Sequence, residues 1–192
     1  MKIGIYIATS ANGMISNSRN VPDWLSAEYG YGFDAICERM KAVIMGRKTY
    51  NILDPDYLPL KVGGTIVVLT HDVRTRPANE SVMFTNKTPK EIVAMLEAMG
   101  HIEAVIIGGA LTMSQFINDG LVDDLYIVME PVIFGNGLRL LTDIELESKL
   151  TLLEVTKMND GTIELHYEMQ KSLNATCTFC CSHLSPQQTS AS

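Results

Sequence analysis

The chain has little cysteine in its body, a single tryptophan, no long apolar run and no excess of positive charge. Of four cysteines in 192 residues, three (Cys177, Cys180, Cys181) fall in the final stretch and only Cys37 lies earlier. A disulfide framework would spread pairs through the fold, so a reducing compartment is expected. Lys and Arg total 15 against 22 Asp and Glu, a formal net charge of −7. That balance disfavours nucleic acid or an acidic membrane surface as a partner. No segment approaches the roughly 18 continuous apolar residues of a membrane span. The opening MKIGIYIATSANG breaks at Asn12-Gly13 after one strand length, too short for a signal peptide. A cytoplasmic location is the expectation. The G-x-G-x-x-G fingerprint is missing too: Gly135-Asn136-Gly137 has no third glycine at the required spacing. This argues against a conventional Rossmann reductase.

What is present divides into a body, 1–171, and a tail, 172–192. The tail holds no Asp, Glu, Lys or Arg and shows neither helical nor strand periodicity. It reads as a disordered appendage. Within it Cys177, Cys180, Cys181 and His183 bring soft ligands together, but without a hydrophobic frame or a second ligand pair at finger spacing. A flexible, oxidation-prone tail is the favoured reading over a zinc site, and His71, His101 and His166 are scattered, so no metal site is expected.

In the body, strand-like runs alternate with helical patterns. Ile3–Ala8 is an apolar run that could be buried on both faces, followed by a long polar loop from Thr9 to Trp24. Ser26 can cap a helix whose Tyr29, Phe33, Ile36, Cys37 and Met40 recur at three- and four-residue spacing. Ala42–Met45, Thr65–Leu69 and Val82–Phe84 read as strands. Thr88-Pro89-Lys90-Glu91 reads as a capping box ahead of a helix that Gly100 stops. Ala104–Ile107 is a strand, Leu111–Asn118 a short helix and Leu125–Met129 a strand. Leu150–Lys157 and Thr162–Met169 flank Asn159-Asp160-Gly161, a hairpin signal. The expected fold is α/β: a mostly parallel central sheet with helices on both faces and a C-terminal antiparallel hairpin.

Ligands of such sheets bind at the carboxyl ends of the strands, which directs attention to two turns. Gly46-Arg47-Lys48-Thr49 follows one strand; its glycine permits close backbone approach, and its exposed N–H groups, two cations and a hydroxyl suit a phosphate. A solvated basic turn is the plainer alternative. Gly108-Gly109 follows another strand, where close helix–strand packing is equally open. Together at one sheet edge the two turns argue for a nucleotide lying across both.

MGRKTY, then PLKVGGTIVVLT, then IIGG resembles dihydrofolate reductase in order and spacing, with VPDWLSAE where that family has a Leu-Pro-Trp segment and a carboxylate. FINDGLVDDLYIVMEPVIFGNGLRLL is more similar to the reductase domain of bacterial riboflavin-biosynthesis deaminase/reductases and their stand-alone relatives. The resemblance spans nearly all of the body and implies an NADPH-dependent reductase of a small pteridine-, pyrimidine- or flavin-related substrate. It implies that Ala8 and the loop at Asn12 and Gly13 border the nicotinamide. Gly46, Arg47, Lys48 and Thr49 would meet the phosphates, with Arg47 a candidate for the 2′-phosphate. Thr70 and His71 would flank the adenosine. Ile107, Gly108, Gly109, Ala110, Leu111 and Thr112 would wrap the nicotinamide ribose and pyrophosphate, with the Gly-Gly bond commonly cis in the family. Glu28 stands where dihydrofolate reductases carry the acid that helps protonate substrate; a first-turn carboxylate that suits the helix dipole is the plainer reading. Homodimers are common among the riboflavin-type relatives.

Departures bear on the substrate. Gly63 and Gly64 occupy the stretch where dihydrofolate reductases place an Arg on the folate carboxylate, which disfavours folate. Ser10-Ala11-Asn12-Gly13 stands where riboflavin-type enzymes show Ser-Leu-Asp-Gly, so Asn12 keeps hydrogen-bonding capacity and loses the charge. No deaminase zinc signature is present. The competing hypothesis is a nucleotide-binding module of the same fold without turnover.

Overall fold

The strand runs are apolar on both sides because each sends alternate residues into one of two separate cores. A computed structural model describes residues 1–53, 63–74, 79–145 and 147–170; the Pro59–Val62 part of the resembling motif and the Cys-rich tail lie outside the described residues. In chain order the elements are β1 (Lys2–Ser10), β2 (Met14–Asn17), α1 (Ala27–Met40), β3 (Ala42–Gly46), α2 (Arg47–Ile52), β4 (Thr65–Leu69) and β5 (Val82–Thr85). There follow α3 (Pro89–Ala98), β6 (Glu103–Ile106), α4 (Ala110–Asn118), β7 (Asp124–Glu130), β8 (Gly137–Arg139), β9 (Leu150–Lys157) and β10 (Ile163–Met169).

Among the described residues one sheet runs β5-β4-β3-β6-β1-β7-β10-β9. The pairings from β5 across to β7 are parallel, and β10 and β9 close the far side antiparallel. This is the expected architecture, hairpin included. Ile3, Ile5, Ile44, Val67 and Ile106 face one core, shared with Ile92 and Leu96 of α3 and Met113 and Phe116 of α4. Tyr6, Val43, Met45, Ile66 and Val105 face the other, shared with Ile36, Cys37 and Met40 of α1 and Tyr50 of α2. Burial on both faces explains why these strands read as continuous apolar runs.

The helices start where their capping chemistry sits. Ser26 Oγ accepts from the Tyr29 N–H at 3.2 Å to open α1, and Thr88 and Glu91 form the expected capping box of α3. Two features escaped the sequence reading. Thr9 and Ser10 are buried members of β1 rather than loop. The supposed long loop also contains β2, which pairs antiparallel with β8 in a separate ribbon. The ribbon depends on Gly137, where any Cβ would collide with the Ser16 carbonyl. That close approach, not a nucleotide turn, accounts for this glycine.

Glu130, at the end of β7 and 1% exposed, ties three elements together. It accepts from the Ser26 N–H at 2.9 Å, the Ser26 hydroxyl at 2.7 Å and the Thr162 hydroxyl at 2.7 Å. The N-cap of α1 is thereby fixed against β7 and the hairpin turn. Replacement by alanine leaves buried donors without an acceptor, at about 1–3 kcal/mol for each unsatisfied group. Glu130→Ala should lower the unfolding free energy by about 3 kcal/mol, moving the urea midpoint down with the slope unchanged; an unaltered midpoint would show that these bonds do not hold α1.

Candidate functional site

The Gly46 N–H donates to the Gly108 carbonyl at 2.9 Å, so the two glycine turns lie side by side. This follows from strand order, because β6 sits directly beside β3. A Cβ on Gly46 would stand 2.8 Å from Thr112 Oγ1 and 3.7 Å from the Gly109 nitrogen. Gly46 therefore has to be bare for the starts of α2 and α4 to meet. Gly108 has φ of +117°, which favours glycine, and the Gly108-Gly109 peptide is cis. Thr49 Oγ1 lies against both glycines, 3.6 and 3.5 Å from where their Cβ atoms would be.

A cleft of about 1660 Å³ opens along these turns at the carboxyl ends of β1, β3, β4 and β6. Its volume exceeds the roughly 300–1,000 Å³ of a common small-molecule pocket and has room for more than one bound group. Of the residues singled out from sequence, the structure gathers Ala8, Gly46, Arg47, Lys48, Thr49, Thr70, His71, Ile107, Gly108, Gly109, Ala110, Leu111 and Thr112 along this cleft.

Arg47 is poised by apolar contact. Its guanidinium carbon lies 4.2 Å from the Phe84 ring centroid, Phe84 meets Tyr50 edge-on at 5.3 Å, and Nε donates to Asn51 Oδ1 at 3.1 Å. Nη1 is buried and has no hydrogen-bond partner among the described residues. A guanidinium stacked on an aromatic face while one nitrogen stays unsatisfied is available to an anion. α4 has Gly109 as N-cap and so no side-chain cap bond, which leaves first-turn N–H groups at the cleft wall. Lys48, His71 and Lys87 add donors along the same sheet edge.

Asn12, Gly13 and Glu28 are not brought to the cleft lining. Asn12 Nδ2 donates to the Phe134 carbonyl at 2.8 Å, while Asn12 Oδ1 accepts from the Phe134 N–H at 3.2 Å and from Ser10 Oγ at 2.8 Å. The side chain thus clasps the loop after β7 in both directions, which a carboxylate could not do. Trp24 packs edge-on against the Phe134 ring at 5.2 Å, and Trp24 itself lines the cleft. Glu28 turns the other way, to accept from Asn159 Nδ2 in the hairpin turn at 2.9 Å. The Asn159 amide, with Glu28's own backbone N–H, holds this carboxyl below the ordinary carboxylate range, the reverse of what a proton donor near neutrality needs. The first-turn reading, not the acid, matches this placement. Sequence reasoning passed over residues that do line the cleft: Tyr29, Gly30 and Asp34 on α1, and the exposed Val21, Tyr31 and Ile52. An apolar residue left exposed beside a cleft can be found only once the fold is known.

The family described as RibD C-terminal domain matches residues 1–163. The Bacillus subtilis (strain 168) protein YwjB is 30% identical over 172 residues, covering 86% of this chain and 97% of YwjB. A putative riboflavin biosynthesis protein from Shewanella sp. PV-4 superposes with a TM-score of 0.74 at 23% identity, over 88% of this chain and 99% of that one. The Thermotoga maritima diaminohydroxyphosphoribosylaminopyrimidine deaminase/5-amino-6-(5-phosphoribosylamino)uracil reductase superposes with a TM-score of 0.72 at 16% identity, over 88% of this chain and 56% of that one. At these identities the two superpositions establish the fold.

The Asn12 clasp has a direct test. Asn12→Asp removes the donor to Phe134 and sets a charge against its carbonyl, at a cost of about 1 kcal/mol. Amide hydrogen exchange should quicken around Phe134 and in β2 while the central sheet keeps its protection. Unchanged exchange there would show that the clasp does not hold the wall.

Proposed function

We propose that this chain, which belongs to the RibD C-terminal domain family, is an NADPH-dependent reductase of a small heterocycle. The carrying observation is the buried Arg47 Nη1, without a hydrogen-bond partner among the described residues, beside two abutting glycine turns. Arg47, Lys48 and Thr49 would hold phosphate, with Arg47 toward the 2′-phosphate. The bare Gly108-Gly109 turn and the first N–H groups of α4 would take the pyrophosphate and nicotinamide ribose. Thr70 and His71 would flank the adenosine, and Ala8 would border the nicotinamide. When bound, the reduced nicotinamide supplies a hydride. The chain's own contribution is to bind, to orient and to exclude water between the sheet edge and α1. Such positioning accounts for a large share of the barrier in reactions of this kind, which explains a cleft with few ionisable groups on its α1 side.

The β9 edge supports a homodimer. All eight of its residues are exposed, among them Leu150, Leu152, Leu153 and Val155. An unpaired apolar edge strand is covered in most proteins, and two-fold pairing covers it twice over. Sedimentation at micromolar concentration should give a dimer, and Val155→Lys should shift it toward monomer; a wild-type monomer would remove this reading.

The cofactor assignment is tested by parallel titration with NADPH and NADH, following nicotinamide fluorescence. NADPH should bind more tightly. Arg47→Ala should cost NADPH about 10- to 150-fold, as expected for a lost charge-assisted contact of about 1.5–3 kcal/mol, with little change for NADH. Equal losses for both would place Arg47 elsewhere, and no binding of either would end the reductase reading. Tight NADPH binding without oxidation by any pterin or pyrimidine would turn the assignment to a binding module.

A further inference from the structure

The dipeptide Asn-Gly occurs twice in the chain, at Asn12-Gly13 and at Asn136-Gly137. A following glycine makes an asparagine amide labile, because no Cβ keeps the glycine's backbone nitrogen away from the asparagine side chain. That nitrogen attacks the asparagine Cγ. A bond forms between them, the Cγ–Nδ2 bond breaks, and ammonia leaves carrying the proton of the glycine N–H. Water then opens the five-membered imide that remains. Opening at Cγ gives aspartate; opening at the main-chain carbonyl gives isoaspartate, which lengthens the backbone by a methylene. Water is the sole co-reactant, and no atom changes oxidation state.

Both asparagines and both following glycines are exposed, so access to water does not separate the two sites. Their bonding does. The Phe134 carbonyl and N–H hold Asn12 Nδ2 and Oδ1, and Oδ1 also accepts from Ser10 Oγ. The Gly13 N–H donates to the Ser10 carbonyl at 2.9 Å. The electrophile is clamped there and the nucleophile engaged. Asn136 instead lies between Gly135 and Gly137, directly before β8, a strand of three residues that are all exposed. β8 and β2 form a two-stranded ribbon apart from the main sheet, and such a ribbon is marginal by itself and opens locally. Among the described residues nothing hydrogen-bonds the Asn136 side chain.

We propose that Asn136 is a site of spontaneous hydrolytic deamidation in the folded protein, and that the clasp on Asn12 keeps the same dipeptide intact there. The consequence falls on the cleft. Gly137 passes so near the Ser16 carbonyl that a Cβ would collide with it. The extra backbone methylene of an isoaspartate directly before Gly137 displaces that approach. Ser16, Gly137, Leu138 and Arg139 line the cleft, so the modification loosens one stretch of its wall. This holds whatever the cleft binds.

The full-length protein is incubated in warm, mildly alkaline buffer and digested, and the peptides holding Asn12 and Asn136 are quantified by mass spectrometry. A sample unfolded in urea runs alongside. In urea the two asparagines should convert at similar rates. In the folded protein Asn136 should convert, with Asn12 slower on the order of tenfold, the protection expected of about one or two net hydrogen bonds. Ser10→Ala takes a donor from the clasp and should raise the Asn12 rate toward that of Asn136. The isoaspartyl form, separated by ion exchange, should show faster amide exchange in β2 than Asn136→Asp, which carries the charge without the lengthened backbone. Equal exchange in those two forms would overturn the effect on the wall. Folded-state conversion of Asn12 as fast as Asn136, or an Asn136 that stays intact in the fold while converting in urea, overturns the proposal.

Discussion

The hydrogen bond from the Gly46 amide to the Gly108 carbonyl closes the ends of β3 and β6 onto one another, and the rest of the site is arranged around that closure. It forms because no side chain stands between the turns: a Cβ at Gly46 would press on Thr112, a β-branched residue that has little rotameric freedom in a helix. The closure needs β6 beside β3, and the chain reaches that order by building β3, β4 and β5 outward before returning to insert β6 next to β1. A switch of direction of this kind leaves a crevice at the strand ends. The starts of α2 and α4 are thus brought to one edge from opposite faces of the sheet, one carrying Arg47 and the other a glycine cap.

The walls of that crevice are held by polar bonds that have no part in the sheet. Glu130 binds Ser26, whose hydroxyl also caps α1, so the helix bordering the cleft is fixed at its first residue. Asn12 fixes the turn between β1 and β2 to Phe134, and Trp24 packs the loop before α1 against the same ring. The cleft lining mixes charges, with Arg47, Lys48, Lys87 and Arg139 beside Asp34, Asp72 and Asp119. A chain of net charge −7 repels anions at long range, so an anionic ligand is drawn in only where cations are local. At physiological salt that influence extends about 8 Å, so each of these cations acts only on the part of the cleft it lines.

How far the sequence disclosed this depends on the type of signal. Strands buried on both faces announced themselves through apolar runs, and Ser26 and Thr88 through capping chemistry. The turns at Gly46 and Gly108 were legible because each is a glycine directly after such a strand. β2 and β8 were not, since a four-residue and a three-residue strand have no periodicity to read, and their pairing rests on one close approach at Gly137. Glu130, one residue past the expected Leu125–Met129 strand, drew no notice, because its partners lie 104 and 32 residues away in sequence. Glu28 was misplaced for a geometric reason. At about 100° per residue, two positions along α1 turn a side chain about 200°, so Glu28 faces the hairpin while Gly30 faces the cleft.

The same rotation singles out Asp34. Four residues beyond Gly30 it returns to within about 40° of the same azimuth. The other acids near this region are committed elsewhere: Glu28 to Asn159 and Glu130 to Ser26 and Thr162. Asn12 is neutral and engaged with Phe134. Asp34 lines the cleft and is exposed, so its oxygens are open to donors.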